Sequence, residues 1–588
     1  ENFQRVVQAC RLAGFDSLML FLEEWSRNLV PWPSKVANGT EENILQALAE
    51  ALHAEGLKLY VMPSSCVHPP FSGKSLFVYP KEETSRYPQM EQFPGVIFGT
   101  HYRDNWLALL EEAMECGCDG VSLCPDETYY KGHFMKTFPA NEPARLVYQK
   151  RFGQDLPRQE EDTLAFRRWI ALRHEGIADL YGYWARKLIA KFPNIHLTSR
   201  FMQPYLACSN ITETGIPLDL LGSRGGLHEL SSDYMGPYGI QMLTAANGWR
   251  RAGMCYDACM WGPLQGAPRK SDIEIFGEVL WSVMYGLGMI DVYRENYLWE
   301  QGTLPAFARA FHLLSELEDL GVWEARPPKK IAFCSSRASL DWWQIKAWWG
   351  KHEESWDRGR EGSRGWYAER VAFNILQRTG LTFDWYFLDR PDHLLELKNY
   401  QVLVLPFAWS ISREAAGFLK EAAKNGTRLI LLDNKTGLTD EWGEPYSKPL
   451  LQELVESGAA VVFPEDIFQY GGTDAYRQKV TQVIFQSLNQ QFPLKFQSFG
   501  RRIDAAWLEK NPGEYFLFLI NWEKAGNTPV DLGFSLPDGR YRIWIRNSDF
   551  WYEGYLSGKN EFSQEQLANF RYWMIPETVS VFYIRQTE

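Results

Sequence analysis

A chain of 588 residues exceeds what one hydrophobic core organises, so two or three domains are expected before any motif is read. Hydrophobic residues make up 45% of it, enough for packed cores, and no apolar run approaches the roughly 18 residues of a membrane helix. The formal net charge of −12 argues against a nucleic-acid partner, which calls for clustered positive charge, and leaves a neutral or polar substrate as the better expectation.

The opening ENFQRVVQACRLAG reads as an amphipathic helix and not as a signal peptide, although a leader removed upstream of this numbering is compatible with it. Short apolar runs then alternate with helical patterns through the first 300 residues. The runs are FDSLMLFL (15–22), KLYVMPS (58–64), DGVSLC (119–124), NIHLTSRF (194–201), LHELSSDYM (227–235), GMCYDACM (253–260) and GMIDVYR (288–294). Helices are expected at about 42–56, 103–116, 162–191, 239–251 and 271–286, where apolar residues recur at three- and four-residue spacing. Strand and helix in alternation imply a parallel sheet, and closure at eight strands gives a TIM-type β/α barrel over residues 1–325. Seven strands are in view, so the first barrel strand is either absent or supplied by residues upstream of Glu1.

The prolines of ARPPKK break the helix that ends near Gly321. A second α/β pattern follows over 326–496: KKIAFCSS, a helix around 366–379, LTFDWYFL, YQVLVLPF, a helix around 412–424, TRLILLD and AAVVFP. Near-continuous apolar strands such as QVLVLPF imply a parallel sheet covered on both faces, Rossmann-like or flavodoxin-like. It carries no G-x-G-x-x-G, so a nucleotide cofactor is unsupported and none is expected. From 497 to 588 the pattern is all-β, with EYFLFLINW, RYRIWIR, RYWMI and TVSVFYI, and implies a small β-sandwich.

Nine cysteines scattered over this length do not form a disulfide framework and fit a reducing, cytoplasmic compartment. Cys116, Cys118 and Cys124 lie close together, but the apolar run GVSL between the last two favours inert core thiols over zinc ligands, and no metal is expected. The 24 Trp include candidates for the flat platforms on which sugar rings stack.

Barrel enzymes carry their chemistry at the carboxyl ends of the strands. After DGVSLC come Asp126 and Glu127, an adjacent acid pair that is costly unless each member has a task or water solvates it. Glu127 fits a general acid that protonates a departing glycosidic oxygen, with Asp126 charged beside it. Across the mouth, MCYDACMWG supplies Tyr256, Asp257 and Trp261 but no Glu. His68, His101, Arg103, Asp233, Tyr234, Arg294, Glu295, Tyr297 and Trp299 complete the strand-end polar and aromatic groups, an outline of a sugar pocket.

The order of parts resembles glycoside hydrolase family 42, the β-galactosidases with a barrel, an α/β trimerisation domain and a small β domain. NIHLTSRF with LHELSSDYM, YQVLVLPFAWSISREAAGFLKEAAKNGTRLILLD, and EYFLFLINWEKAGNTPVDL carry the resemblance, which also implies a homotrimer. In that family an Asn–Glu pair ends the fourth strand and a Glu the seventh, whereas this chain has Asp126–Glu127 and Tyr256–Asp257. An Asp–Glu pair resembles instead the N-acetylhexosaminidases of families 20 and 123, in which the substrate's acetamido oxygen is the nucleophile. That resemblance implies a retaining exo-β-N-acetylhexosaminidase, favouring N-acetylgalactosamine. In it Asp126 orients the acetamido group, Glu127 serves as acid/base, and Tyr256 or Tyr234 holds the acetamido oxygen. The other readings are a conventional retaining β-galactosidase with Glu127 as acid/base and Asp257 as nucleophile, and a carbohydrate-binding protein without catalysis.

Overall fold

The computed structural model describes residues 2–21, 29–36, 38–62, 100–123, 142–157, 163–201, 218–233, 237–256, 271–292, 302–341, 364–463, 467, 471–489, 491–496, 502–547, 551–553 and 561–587. Its first unit is a sheet of seven parallel strands in chain order: β1 (Ser17–Phe21), β2 (Lys58–Met62), β3 (Gly120–Leu123), β4 (His196–Phe201), β5 (Glu229–Asp233), β6 (Ala252–Tyr256) and β7 (Met289–Val292). All seven runs expected from the sequence are present. Among the described residues no strand bridges β1 and β7, so the curled sheet is open along one side.

The strands form because their residues alternate between two environments. Leu59, Val61, Val121, Leu123, Leu197 and Leu230 share one face and join a core built with the surrounding helices. That outer layer comprises α1 (Asn2–Ala13), α2 (Ile44–His53), α3 (Thr100–Glu115), α4 (Glu142–Phe152), α5 (Leu164–Lys191), α6 (Leu218–Arg224), α7 (Pro237–Asn247), α8 (Asp272–Met284) and α9 (Leu304–Asp319). Thr163 starts α5 by accepting the Phe166 N–H, and Ser271 with Glu274 forms a capping box on α8. The helix ring closes where α9 packs on α1, with Phe15 and Phe311 edge to face at 5.2 Å.

The second unit is a parallel sheet of β8 (Ile331–Ser335), β9 (Asp384–Phe387), β10 (Val402–Leu405), β11 (Arg428–Leu431) and β12 (Ala460–Val462), with α10 (Arg364–Arg378), α11 (Arg413–Lys424) and α12 (Asp474–Ser487). Its order, β9-β8-β10-β11-β12, is the flavodoxin-like arrangement, which decides between the two expected forms. The third unit is two antiparallel sheets. One is β13 (Leu494–Lys495), β16 (Thr528–Phe534) and β20 (Phe570–Met574). The other is β14 (Ile503–Asn511), β15 (Glu514–Asn521), β17 (Arg540–Arg546), β18 (Trp551–Glu553), β19 (Glu561–Ser563) and β21 (Thr578–Gln586). Leu494 and Lys495, expected in the second unit, pair with Phe534 and Gly533 in the third.

The units are joined by buried polar contacts as well as apolar packing. Between barrel and sandwich, Asp504 Oδ2 accepts from two indoles at once, Trp281 Nε1 on α8 at 3.1 Å and Trp522 Nε1 at 2.8 Å. Burial pushes this carboxyl above its ordinary range, against the two donated hydrogen bonds. Gly277 on α8 exists for the same contact, since a Cβ there would stand 2.3 Å from the Trp522 ring. At the linker, Arg250 adopts a left-handed φ of 65°. Its guanidinium lies between the rings of Trp249 and Trp323 and donates to the carbonyls of Leu287 and Val322.

Gly277→Ala is therefore expected to destabilise the protein by about 1–3 kcal/mol through overpacking against Trp522, outweighing the ~1 kcal/mol gain in helix propensity. Thermal and urea unfolding measure it. A variant as stable as the parent would show that the ring does not need this space.

Candidate functional site

Because all seven barrel strands run parallel, their carboxyl ends share one rim. β3 ends at Leu123, β5 at Asp233, β6 at Tyr256 and β7 at Val292. Asp126 and Glu127 follow β3 closely in the chain, Tyr234 and Asp257 come directly after β5 and β6, and Arg294 and Glu295 follow β7. These six, with His68, Trp261, Tyr297 and Trp299, lie outside the described residues. The backbone thus brings the chain positions leading to the expected acid pair and to Asp257 to the same rim. β3 and β6 are three strand positions apart, ~14 Å along the sheet at ~4.8 Å per position, and curvature shortens the direct path.

His101 and Arg103 are placed differently from the expectation that they follow a strand end. Both sit in the first turn of α3. The Arg103 guanidinium stacks over the Tyr183 ring of α5 at 4.2 Å and donates from Nε to Asp104 at 2.9 Å. The Trp184 indole donates to the Arg103 carbonyl at 2.8 Å. This arginine fastens α3 to α5. The helix expected from about 103 begins at Thr100, which takes in both residues.

The face of the sheet opposite the helices is polar and small, a feature not read from the sequence. In register across the strands stand Tyr60, Gly120 and His196, then Ser122, Thr198 and Glu229, then Ser231, Gly253 and Met289. Barrel interiors are ordinarily filled by branched apolar residues. Here the Tyr60 ring covers Gly120, where a Cβ would lie 2.6 Å from that ring and 2.2 Å from the His196 carbonyl. Asp291, in register with Cys255 and through it with Asp233, brings a further carboxylate to the layer nearest the rim.

At the opposite, amino-terminal end the polar groups are mutually satisfied. His53 Nε2 meets Asp119 at 2.8 Å, and the same Asp119 oxygen accepts the Leu59 N–H. His196 Nε2 meets Glu229 at 3.1 Å and stacks on His228 at 5.4 Å. His228 Nδ1 accepts the Leu197 N–H at 2.9 Å, so this ring carries its proton on Nε2. Burial, then His196 and Arg251, hold His228 below the ordinary 6.5. Burial, then Asp16, Asp119 and Glu229, push Tyr60 up to about 12. This end of the barrel is a structural floor.

Of the clustered thiols, Cys116 and Cys118 are core residues, and Cys124 lies outside the described residues. Cys116 and Cys118 are buried and free, Asn43 Nδ2 donates to Cys116 Sγ at 3.4 Å, and burial pushes Cys118 up to about 12. Among the described residues no helix is long and apolar enough to cross a membrane.

No family model matches the chain, and no curated sequence relative is found. Solved structures with the same fold do exist. The β-galactosidase from Bacillus circulans sp. alkalophilus superposes with a TM-score of 0.68 at 12% identity, covering 99% of this chain and 97% of that one. The β-galactosidase from Rahnella sp. R3 gives 0.69 at 12% identity, covering 100% and 96%. A catalytic mutant of a GH42 β-galactosidase from G. stearothermophilus gives 0.66 at 11% identity over the same shares. An α-L-fucosidase from Paenibacillus thiaminolyticus gives 0.62 at 13% identity, again over 100% and 96%. The three-unit architecture is thus that of the family-42 β-galactosidases, as the order of parts implied.

The floor makes a pH prediction. His228 binds its proton less well folded than unfolded, so its contribution to stability is complete above about pH 6.5 and is lost as the pH falls below that. His228→Asn keeps an acceptor for Leu197 and does not titrate. Its stability, measured by urea unfolding, is expected to fall less than the parent's between about pH 7 and about pH 5. Parallel pH profiles would remove His228 as the cause.

Proposed function

We propose that the chain is a retaining β-glycosidase of the β-galactosidase type, with Glu127 as acid/base and Asp257 as nucleophile. One observation carries this reading. The chain positions bearing those carboxylates come within four residues of the ends of two strands that share one rim, in a chain whose fold matches β-galactosidases from end to end. In the mechanism, Glu127 donates its proton to the leaving oxygen while the Asp257 carboxylate attacks the anomeric carbon from the opposite face. Glu127 then takes a proton from the water that releases the sugar from Asp257, so the anomeric configuration is retained. The two groups must approach to about 5 Å for this, and an Asp reaches ~1.5 Å less than a Glu. The sugar is therefore proposed to sit deeper toward β6 than it would above a Glu.

Asp233, Tyr234, Trp261, Arg294, Glu295 and Trp299 are proposed as sugar contacts, His101 as a neighbour at the start of α3, and an oligosaccharide or glycoconjugate as substrate. A homotrimer acting in the cytoplasm completes the proposal. Four buried free thiols among the described residues support that compartment.

A second reading is favoured by the sequence around the same strands. Asp126 precedes Glu127, and Tyr256–Asp257 offers no Glu, which suits substrate-assisted cleavage of a β-N-acetylhexosaminide, N-acetylgalactosamine first. Asp126 would then steady the oxazolinium charge, and Tyr256 or Tyr234 would hold the acetamido oxygen.

A pair of 4-nitrophenyl substrates separates the two. The first reading expects turnover of the β-galactoside, a loss of about 10³-fold or more in kcat/KM for Asp257→Ala, and its partial rescue by azide with formation of the α-galactosyl azide. Turnover confined to the N-acetylated sugar, abolished by Asp126→Asn but not by Asp257→Ala, would replace it with the second. Undiminished activity in Glu127→Gln on a poor leaving group would sink both.

A further inference from the structure

Open α/β sheets take ligands in the crevice outside the strand carboxyl ends where the strand order reverses, which in the second unit is between β8 and β10. Here the chain fills that crevice itself. Ser336 Oγ and Ser339 Oγ both donate to the Ser410 carbonyl, at 2.6 and 3.0 Å. At the start of the helix that begins at residue 337, Asp389 accepts the Arg337 N–H at 2.6 Å and the Ala338 N–H at 3.3 Å, standing where a bound anion would stand. From this point the Arg337 side chain crosses to the barrel. Its Nε reaches Asp219 on α6 at 2.9 Å, and its Nη1 reaches Asp341 at 3.3 Å. His174 Nδ1 on α5 lies 3.6 Å from Asp341. Asp219, His174 and Asp341 are 1%, 1% and 6% exposed, so water does little to separate these charges. Beside them Tyr238 on α7 donates to Glu369 on α10 at 2.7 Å.

We propose that this seam is a pH-responsive latch. Protons held by Asp341 and Asp389 beside Arg337, and by Glu369 against Tyr238, fasten the barrel to the α/β unit in mildly acid solution. Their loss as the pH rises through neutrality loosens it. One guanidinium cannot neutralise three carboxylates, and two like charges about 4 Å apart repel by ~4 kcal/mol even at an effective dielectric of about 20. Asp341 is faced by Arg337 on its own helix, His174 on α5, Asp219 on α6 and Asp389 after β9. Glu369 is faced by Tyr238 and, further off, by Asp389. Burial pushes Asp341 up to about 7 and Asp389 up to about 6 against the pull of Arg337, and Glu369 up to about 7 against the Tyr238 hydrogen bond. Carboxyls raised in the folded state stabilise it fully below about pH 4, and that stability drains away as the pH passes through about 6 to 7. Two further contacts, Gln241 to the Phe383 carbonyl and Arg390 to the Ala246 carbonyl, also join the units.

Hydrogen exchange of the full chain at about pH 5.5 and about pH 8, corrected for intrinsic rates, tests the latch. Amides of α6, α7 and residues 337–341 are expected to lose about tenfold in protection at the higher pH, while those of β15 and β21 in the sandwich do not. Asp341→Asn is expected to remove most of the difference at α6, and Glu369→Gln most of it at α7. Equal protection of the parent's seam at both pH values would overturn the proposal without any variant. A full pH difference persisting in either substituted chain would overturn it at that site.

Discussion

Everything in the first unit depends on one geometric constraint, that successive side chains of a strand point to opposite faces. Seven parallel strands in register turn that alternation into two layers. One layer, from Leu59 through Val121 to Leu230, is pressed against the helices. The other holds Tyr60, His196, Ser122, Thr198 and Ser231, polar or small groups that a closely curled sheet can accommodate. Parallel direction then delivers every strand's carboxyl end to the same rim. Strand ends far apart in the chain, those of β3 and β6 among them, share one rim for this reason alone.

The same constraint explains what could be read in advance. Each barrel strand is a short apolar run beside a helix of different period, and all seven were legible, as were the five strands of the flavodoxin-like unit. Less could be read where local pattern is weak or shared. EPARLVYQKRF (α4) has its apolar residues too thinly spread to stand out, and IDAAWLEKN (β14) begins with a run that suits either period. Leu494 and Lys495 are only two residues long as a strand, and their partners, Phe534 and Gly533, lie 40 and 38 residues on. No local signal carries a pairing of that kind.

Of the site, the strand ends that precede Asp126–Glu127 and Asp257 were legible, because a strand end is a chain position. What an individual side chain does was harder. Arg103 stacks on the ring of Tyr183, 80 residues later, a contact no local pattern announces. Conversely, nothing about Asp291 within GMIDVYR marks it as a rim-layer carboxylate until register sets it beside Cys255 and Asp233. A one-residue slip would send each of these side chains to the other face.

The flavodoxin-like unit carries the same lesson at the level of the fold. Its strand order builds a crevice that in other proteins takes a phosphate or a cofactor, and the missing glycine motif gave only a negative argument against that role. The positive argument is physical. Asp389 already occupies the amide donors of the helix that begins at residue 337, Ser336 and Ser339 close the space against Ser410, and Arg337 turns the remaining charge toward Asp219. A carboxylate supplied by the chain satisfies the helix amino terminus as an incoming anion would, without the entropy of capturing one. The crevice has become a docking surface for the barrel, and the charge it concentrates there gives the joint its sensitivity to protons.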